Sequence, residues 1–255
     1  MVRAPVPALT APAVPAVVTP VAYGAAVALA VVAGVAACTG GRRRPGPWRP
    51  WVARLLGAVL LGDAVSYVLA LVVAGTFSAR TDLPLALCNV AVLVAAAACF
   101  WRLPVLVELT WFWGLAGTLQ AVITPDLDVG FPHLVFFQYM VGHLGIVLAA
   151  LFLVIGMGIR PRPGAVLRVL AVTALYTGFV GLVDGLSGAN YMFLRSPPAN
   201  WTLLRLLGPW PWYTVSAAAV AVVLVTALDA PFWAGRRKGT PLRPGRMPGA
   251  ARPTH

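Results

Sequence analysis

The residues able to do chemistry are few and sit inside apolar sequence: Asp63, Cys88, Asn89, Glu108, Gln120, Gln138, His143 and Asp184. A polar group in such a setting is costly and is a functional candidate by default. Cys88 and His143 are the pair with the most reactive chemistry. A thiol becomes a nucleophile when an imidazole takes its proton, and a third polar group can orient the ring. Asp184 or Gln120 suits that third role, and Gln120 or Asn89 suits an oxyanion donor. A thiolate at membrane depth would meet acyl chains and ester carbonyls, which makes acyl transfer the natural reaction class. The plainer reading stands beside it. A cysteine packs well as a small apolar residue, and a histidine or aspartate can simply hydrogen-bond a neighbouring helix. Cys99, next to Phe100 and Trp101, reads as packing.

The elements that must position these groups are membrane helices. Hydrophobic residues make up 60% of the 255 and charged residues only 10%, and the mean hydropathy is +0.86. A helical crossing needs about 20 apolar residues. Stretches of that kind run over about 14–37, 51–74, 83–100, 104–123, 132–159, 166–186 and 211–229. The expectation is an all-α bundle of about seven transmembrane helices over residues 14–234. Residues 1–13 read as a disordered Pro-rich leader and 235–255 as a disordered basic tail.

Arginines fix the expected orientation. With seven spans, Arg42, Arg43, Arg44, Arg49, Arg102, Arg160, Arg162 and the tail fall on one side. Arg3, Arg80, Arg195 and Arg205 fall on the other, with Asp82, Asp126 and Asp128. The positive-inside bias then places the N-terminus outside and the C-terminus in the cytoplasm. In that frame Cys88, Asn89, Gln120, Gln138, His143 and Asp184 all lie in the outer half of the bundle, where they could share one cavity. Asp63 lies near the middle of the second span. Trp48 and Trp51, and Trp210, Trp212 and Tyr213, read as interfacial aromatics. His133 reads as a surface residue.

Several classes are excluded. The net charge of +12 sits beside apolar runs and points to anionic lipid headgroups at the cytoplasmic face, with no role for nucleic acid. No Cys/His metal spacing or disulfide framework is present, no phosphate-binding glycine loop, and no cofactor is implied. The single lysine, Lys238, lies in the tail, so a buried retinal Schiff base is ruled out. Val35–Cys38 fits a lipoprotein cleavage pattern, but its arginines follow the cysteine, whereas a secretory signal carries them before the apolar run. Arginine far outnumbering lysine, with abundant Ala, Gly and Pro, suggests a GC-rich bacterial genome and so a bacterial plasma membrane.

A set of motifs in order adds to this reading: Leu83-Pro-Leu-Ala-Leu-Cys88, Phe112–Gln120, Thr124-Pro-Asp126, Phe131-Pro-His133, Phe137-Gln138, His143, Arg160-Pro-Arg-Pro-Gly164, Asn190-Tyr191-Met192 and Leu207–Tyr213. Together they resemble the YwaF-type integral membrane proteins over about Leu83 to Tyr213. The resemblance implies a relation to a eukaryotic transmembrane protein regarded as a cysteine-dependent phospholipid acyltransferase. It implies Cys88 as the motif cysteine and His143 as the fifth-span histidine. It departs at Ala86, where such proteins often carry a polar residue.

The working expectation is a lipid acyltransferase acting through a Cys88 thioester, with membrane lipids as partners. The alternatives are a non-catalytic lipid or small-molecule carrier or sensor using Asp63, His143 and Asp184, and a structural subunit of a membrane complex. For the latter, Gly114, Gly117, Gly178 and Gly181 are spaced for close helix contact.

Overall fold

The computed structural model describes residues 18–127, 129–198 and 202–237. The expected leader, Asp128, Trp201 and the tail from Lys238 onward lie outside these residues. Among the described residues the chain is helical, without a strand.

The helices are α1 (Val18–Arg43), α2 (Trp48–Val73), α3 (Leu87–Trp101), α4 (Pro104–Phe112), α5 (Leu119–Ile123), α6 (Leu134–Leu151), α7 (Ala165–Ser187) and α8 (Trp212–Arg237). A π-helical turn, Trp113–Thr118, joins α4 to α5, and a second, Phe152–Gly156, extends α6. The continuous apolar helices Thr19–Arg43, Trp48–Val73, Pro104–Ile123, Leu134–Gly156, Ala165–Ser187 and Trp212–Gly235 are each long enough to cross a bilayer. The remaining apolar helix, α3, has 15 residues and is about 22 Å long at 1.5 Å per residue. Leu83–Ala86, expected as its first turn, stays outside the helix: Pro84 disfavours helical geometry at Leu83, and Ala86 is extended, at φ −62° and ψ 144°.

α3, α4 and α6 form the centre. Ala91, Ala95, Ala98, Cys99, Phe112, Ile146, Ala149 and Leu153 are all buried there. Small side chains let the helices approach closely, the dominant packing device where lipid competes for apolar contact. Gly57 of α2 shows the tolerance: a Cβ there would lie 2.9 Å from the Cβ of Cys99 and 3.1 Å from the Ala96 carbonyl oxygen. Cys99 is therefore a packing residue. In contrast α1, α2, α7 and α8 present Leu29, Val32, Leu55, Leu69, Leu175, Leu186 and Val223 outward, as lipid-facing helices must. Gly178 faces open space, so it makes no close helix contact within the chain.

Contacts join like ends of antiparallel helices. At one end the Arg49 guanidinium donates to the Met157 carbonyl, 2.7 Å, and Gly41 lies against Gly156. At the other, Tyr23 donates to the Val122 carbonyl, and Tyr191 ties Ala79 to Leu83. The first end gathers Arg42, Arg43, Arg44, Arg49, Arg102, Arg160, Arg162 and Arg168. The second holds Arg80, Arg195 and Arg205. Trp51, Trp210 and Trp212 are exposed, as an aromatic belt requires. Tyr213 is not part of it: it is buried, and its hydroxyl donates to the Phe193 carbonyl. His133 is the N-cap of α6, its Nδ1 accepting from Val135 N at 3.3 Å.

Candidate functional site

Cys88 stands in the first turn of α3, half-buried and reduced. The Thr118 side chain is its polar neighbour. Thr118 is buried and closes the π-helical turn. Such a turn inserts an extra residue into the helix, changes which side chains face inward, and recurs at functional sites. Gly114 lets this wider turn press on α6: a Cβ there would lie 3.2 Å from Ile146 and 3.3 Å from Ala150 side-chain atoms.

Tyr139 on α6 is the second neighbour, within electrostatic reach of Cys88. Its hydroxyl donates to the Ala121 carbonyl at 2.8 Å and accepts from Asp126 N at 3.4 Å. One turn further along α6, the His143 ring stacks on Tyr139 with centroids 4.0 Å apart. His143 Nδ1 lies 2.8 Å from the Tyr139 carbonyl oxygen. A carbonyl only accepts, so Nδ1 carries the proton and Nε2 keeps its lone pair. Nε2 has no hydrogen-bond partner among the described residues. Cys88 and His143 are not hydrogen-bonded to each other.

Asp63 reaches the same region from α2. A Cβ on Gly142 would lie 3.1 Å from its Oδ2 and 3.6 Å from Val92, one turn along α3 from Cys88. The carboxylate has no hydrogen bond or ion pair among the described residues. Gln138 is buried and donates to Ser66 Oγ at 3.0 Å, and Ser66 donates to the Asp63 carbonyl. Asn89 and Gln120 are half-buried, and only the backbone carbonyl of Gln120 is engaged, by Thr124.

Asp184 is placed elsewhere. At the end of α7 its Oδ1 accepts from Tyr191 N at 2.9 Å, and its Oδ2 is buried without a partner. It anchors the cap in which Tyr191 bonds Ala79 and Leu83, and Tyr176 bonds the Leu85 carbonyl. Burial raises the Tyr191 phenol above its ordinary pKa. The neighbours of Cys88 that sequence reasoning did not single out are Thr118 and Tyr139. Gly-rich sequence at Trp113–Thr118 is the signal that could have pointed to the first.

The opposite end holds a different cluster. Glu108 of α4 is 1% exposed and accepts from Arg162 N, Nε and Nη2 and from Arg168 Nε and Nη2, at 2.9–3.1 Å. The carboxylate raises the pKa of Arg162 by hydrogen bonding to it. Among the described residues no group of three or more His, Cys, Asp or Glu side chains could hold a metal.

A bundle of apolar helices with polar groups confined to a few internal positions defines a polytopic integral membrane protein. The family model of the TMEM164 family matches residues 14–229. The match covers most of the chain, and the protein belongs to that family. No curated protein and no solved structure matches it.

Proposed function

We propose that the protein is a lipid acyltransferase that carries its acyl group on Cys88. The observation that carries this reading is the protonation state imposed on His143. The Tyr139 carbonyl holds the proton on Nδ1 and leaves Nε2 as a base, one helical turn from Tyr139, which lies within electrostatic reach of Cys88. Such hydrogen bonds often close only in the substrate complex.

In the first step His143 Nε2 takes the thiol proton and the sulfur attacks a phospholipid ester carbonyl. The ester C–O bond breaks, and the imidazolium returns its proton to the departing lysolipid oxygen. In the second step the acceptor hydroxyl gives its proton to Nε2, its oxygen attacks the thioester, and the Cys88 thiol leaves protonated. The Thr118 hydroxyl stabilises the thiolate, and Gln120 or Asn89 donates to the oxyanion. Asp63 and Gln138 line the approach between α2 and α6. The resemblance to YwaF-type proteins supports the same assignment. An apolar cavity of about 440 Å³ between α1, α2 and α6, lined by Leu29, Val59, Phe136, Met140 and Leu144 among others, is suited to an acyl chain.

The arginine-rich end faces the cytoplasm of a bacterial plasma membrane in this reading, with the C-terminus inside and anionic headgroups as neighbours. Cys88 then works near the outer leaflet.

Mass spectrometry of the protein from native membranes tests the reading. A hydroxylamine-labile acyl adduct is expected on Cys88, absent in Cys88→Ala, and in His143→Ala formed far more slowly and, once formed, not discharged when lysolipid is added. No adduct in any form, with unchanged membrane lipids in both variants, overturns it. A carrier or sensor is the second reading, favoured by the unpartnered Asp63 carboxylate and by the lack of a Cys88–His143 hydrogen bond. It expects Cys88→Ala to be tolerated and Asp63→Asn to be damaging.

A further inference from the structure

Glu108 does more than neutralise two arginines. It fixes the plane of each guanidinium while leaving part of each free. A guanidinium has five N–H groups. Arg162 directs two of its five to Glu108. Arg168 directs two to Glu108 and one to the Pro163 carbonyl. Three donors of Arg162 and two of Arg168 therefore remain unpartnered among the described residues. The side chains are 46% and 39% exposed, so these donors reach the surface. Two positive charges against one negative leave the cluster at +1.

The backbone adds to the same spot. α7 begins at Ala165 without a side-chain cap, and Arg168 Nη1 lies beside Gly164, 3.7 Å from where a Cβ would sit. Ala165 N already donates to the Arg162 carbonyl at 3.0 Å, so what α7 adds beside the guanidinium edges is the positive dipole end of a 23-residue helix. Arg160 is exposed on the same turn, and Arg49 reaches the adjoining Met157 carbonyl.

We propose that Arg162 and Arg168, held in place by Glu108 at the start of α7, form a phosphate-binding fork that seats the headgroup of an anionic phospholipid. Oriented guanidiniums recognise phosphate oxygens in pairs, which a lysine cannot reproduce. A lipid is the source the position favours, because α7 is a membrane helix and its start lies at the headgroup level. The proposal deepens the reading that the arginine-rich end meets anionic headgroups, and is independent of Cys88.

The test is native mass spectrometry of the full chain in micelles doped with equal phosphatidylglycerol and phosphatidylcholine. Wild type is expected to retain phosphatidylglycerol selectively. Arg162→Lys keeps the charge but loses the planar fork, and is expected to weaken retention about tenfold. Glu108→Gln raises the net charge by one yet frees both guanidiniums, and is also expected to weaken it. Arg80→Lys, at the opposite end of the bundle, leaves retention unchanged. If Arg162→Lys matches wild type while added salt strips the lipid from both, the end attracts headgroups by diffuse charge and the fork is overturned. Tighter binding by Glu108→Gln says the same. Should Glu108→Gln fail to fold, Arg162→Lys alone decides. Displacement of the lipid by equimolar inorganic phosphate would overturn the lipid assignment in favour of a soluble phosphate.

Discussion

Glu108 and Asp63 are both carboxylates in apolar spans, yet Glu108 accepts five hydrogen bonds and Asp63 none. The two ends of the bundle differ in the same way. At the Glu108 cluster the buried carboxylate is saturated and ties α4 to the turn before α7, although Arg49 Nε and Arg102 Nη1 at the same end are buried without a partner among the described residues. From mid-span to the other end polar groups stand partly unengaged among the described residues: Asp63, His143 Nε2 and Asp184 Oδ2. A saturated polar network contributes to stability and geometry. An unsaturated one costs stability, and is kept where function needs it. On the proposed function the difference puts structural work on the Glu108 cluster and chemistry around Cys88.

The comparison breaks most visibly at Glu108. Glu108→Ala removes the only carboxylate that α4 offers to Arg162 and Arg168, and is expected to cost about 3 kcal/mol. That is the lower part of the range for a broken buried pair, because both guanidiniums can take water instead. Thermal unfolding in detergent, followed by tryptophan fluorescence, checks it. An unchanged midpoint would mean that the arginine-rich end is not held by this cluster.

Tyr139→Phe comes next. It removes the bond to the Ala121 carbonyl and the weaker one from Asp126 N, about 1 kcal/mol in all, but keeps the ring against His143. Acyl adduct formation on Cys88 should survive in this variant if the phenol only positions α5. Loss of the adduct with a normal midpoint would make the phenol part of the proton path.

Asp63→Leu should act in the opposite direction. It replaces an unpartnered carboxylate with an apolar side chain in lipid surroundings, and the midpoint is expected to rise. Activity should fall at the same time if Asp63 lines the approach to Cys88. A fall in stability would place Asp63 among the structural groups, beside Glu108.

Sequence carried the architecture well because a membrane helix announces itself by length and composition, and because arginines sort by side. The short α3 was overrun at its start because Pro84 and the extended Ala86 are local features that an apolar run conceals. The internal polar residues were legible as a set, but not their partners. Depth puts Asp184 in the same outer half as His143, whereas rotation about the α7 axis and the loop at Ala189–Leu194 decide that it faces Tyr191. Thr118 was invisible for a related reason: the π-helical turn shifts every residue after Trp113 relative to an ideal helix. Tyr213 was misplaced because its neighbours Trp210 and Trp212 do lie outward. Glu108 stood out as polar, but only the folded turn at Arg162 shows that it is satisfied.

The smallest effect is expected for Asp184→Asn, and it sharpens the comparison most finely. Oδ1 accepts from Tyr191 N, and Oδ2 has no partner. Asp184→Asn can keep the first bond through its carbonyl oxygen and puts an uncharged amide where Oδ2 stood. Stability should therefore change by less than about 0.5 kcal/mol. Asp184→Ala removes the anchor of the Tyr191 cap and should cost about 1.5–3 kcal/mol, as for a hydrogen bond to a charged group. If both variants retain activity in proportion to their folded fraction, Asp184 belongs with the structural groups despite lying at the chemical end. If Asp184→Asn is stable but inactive, its charge reaches the site around Cys88, and the cap is part of the machinery rather than its cover.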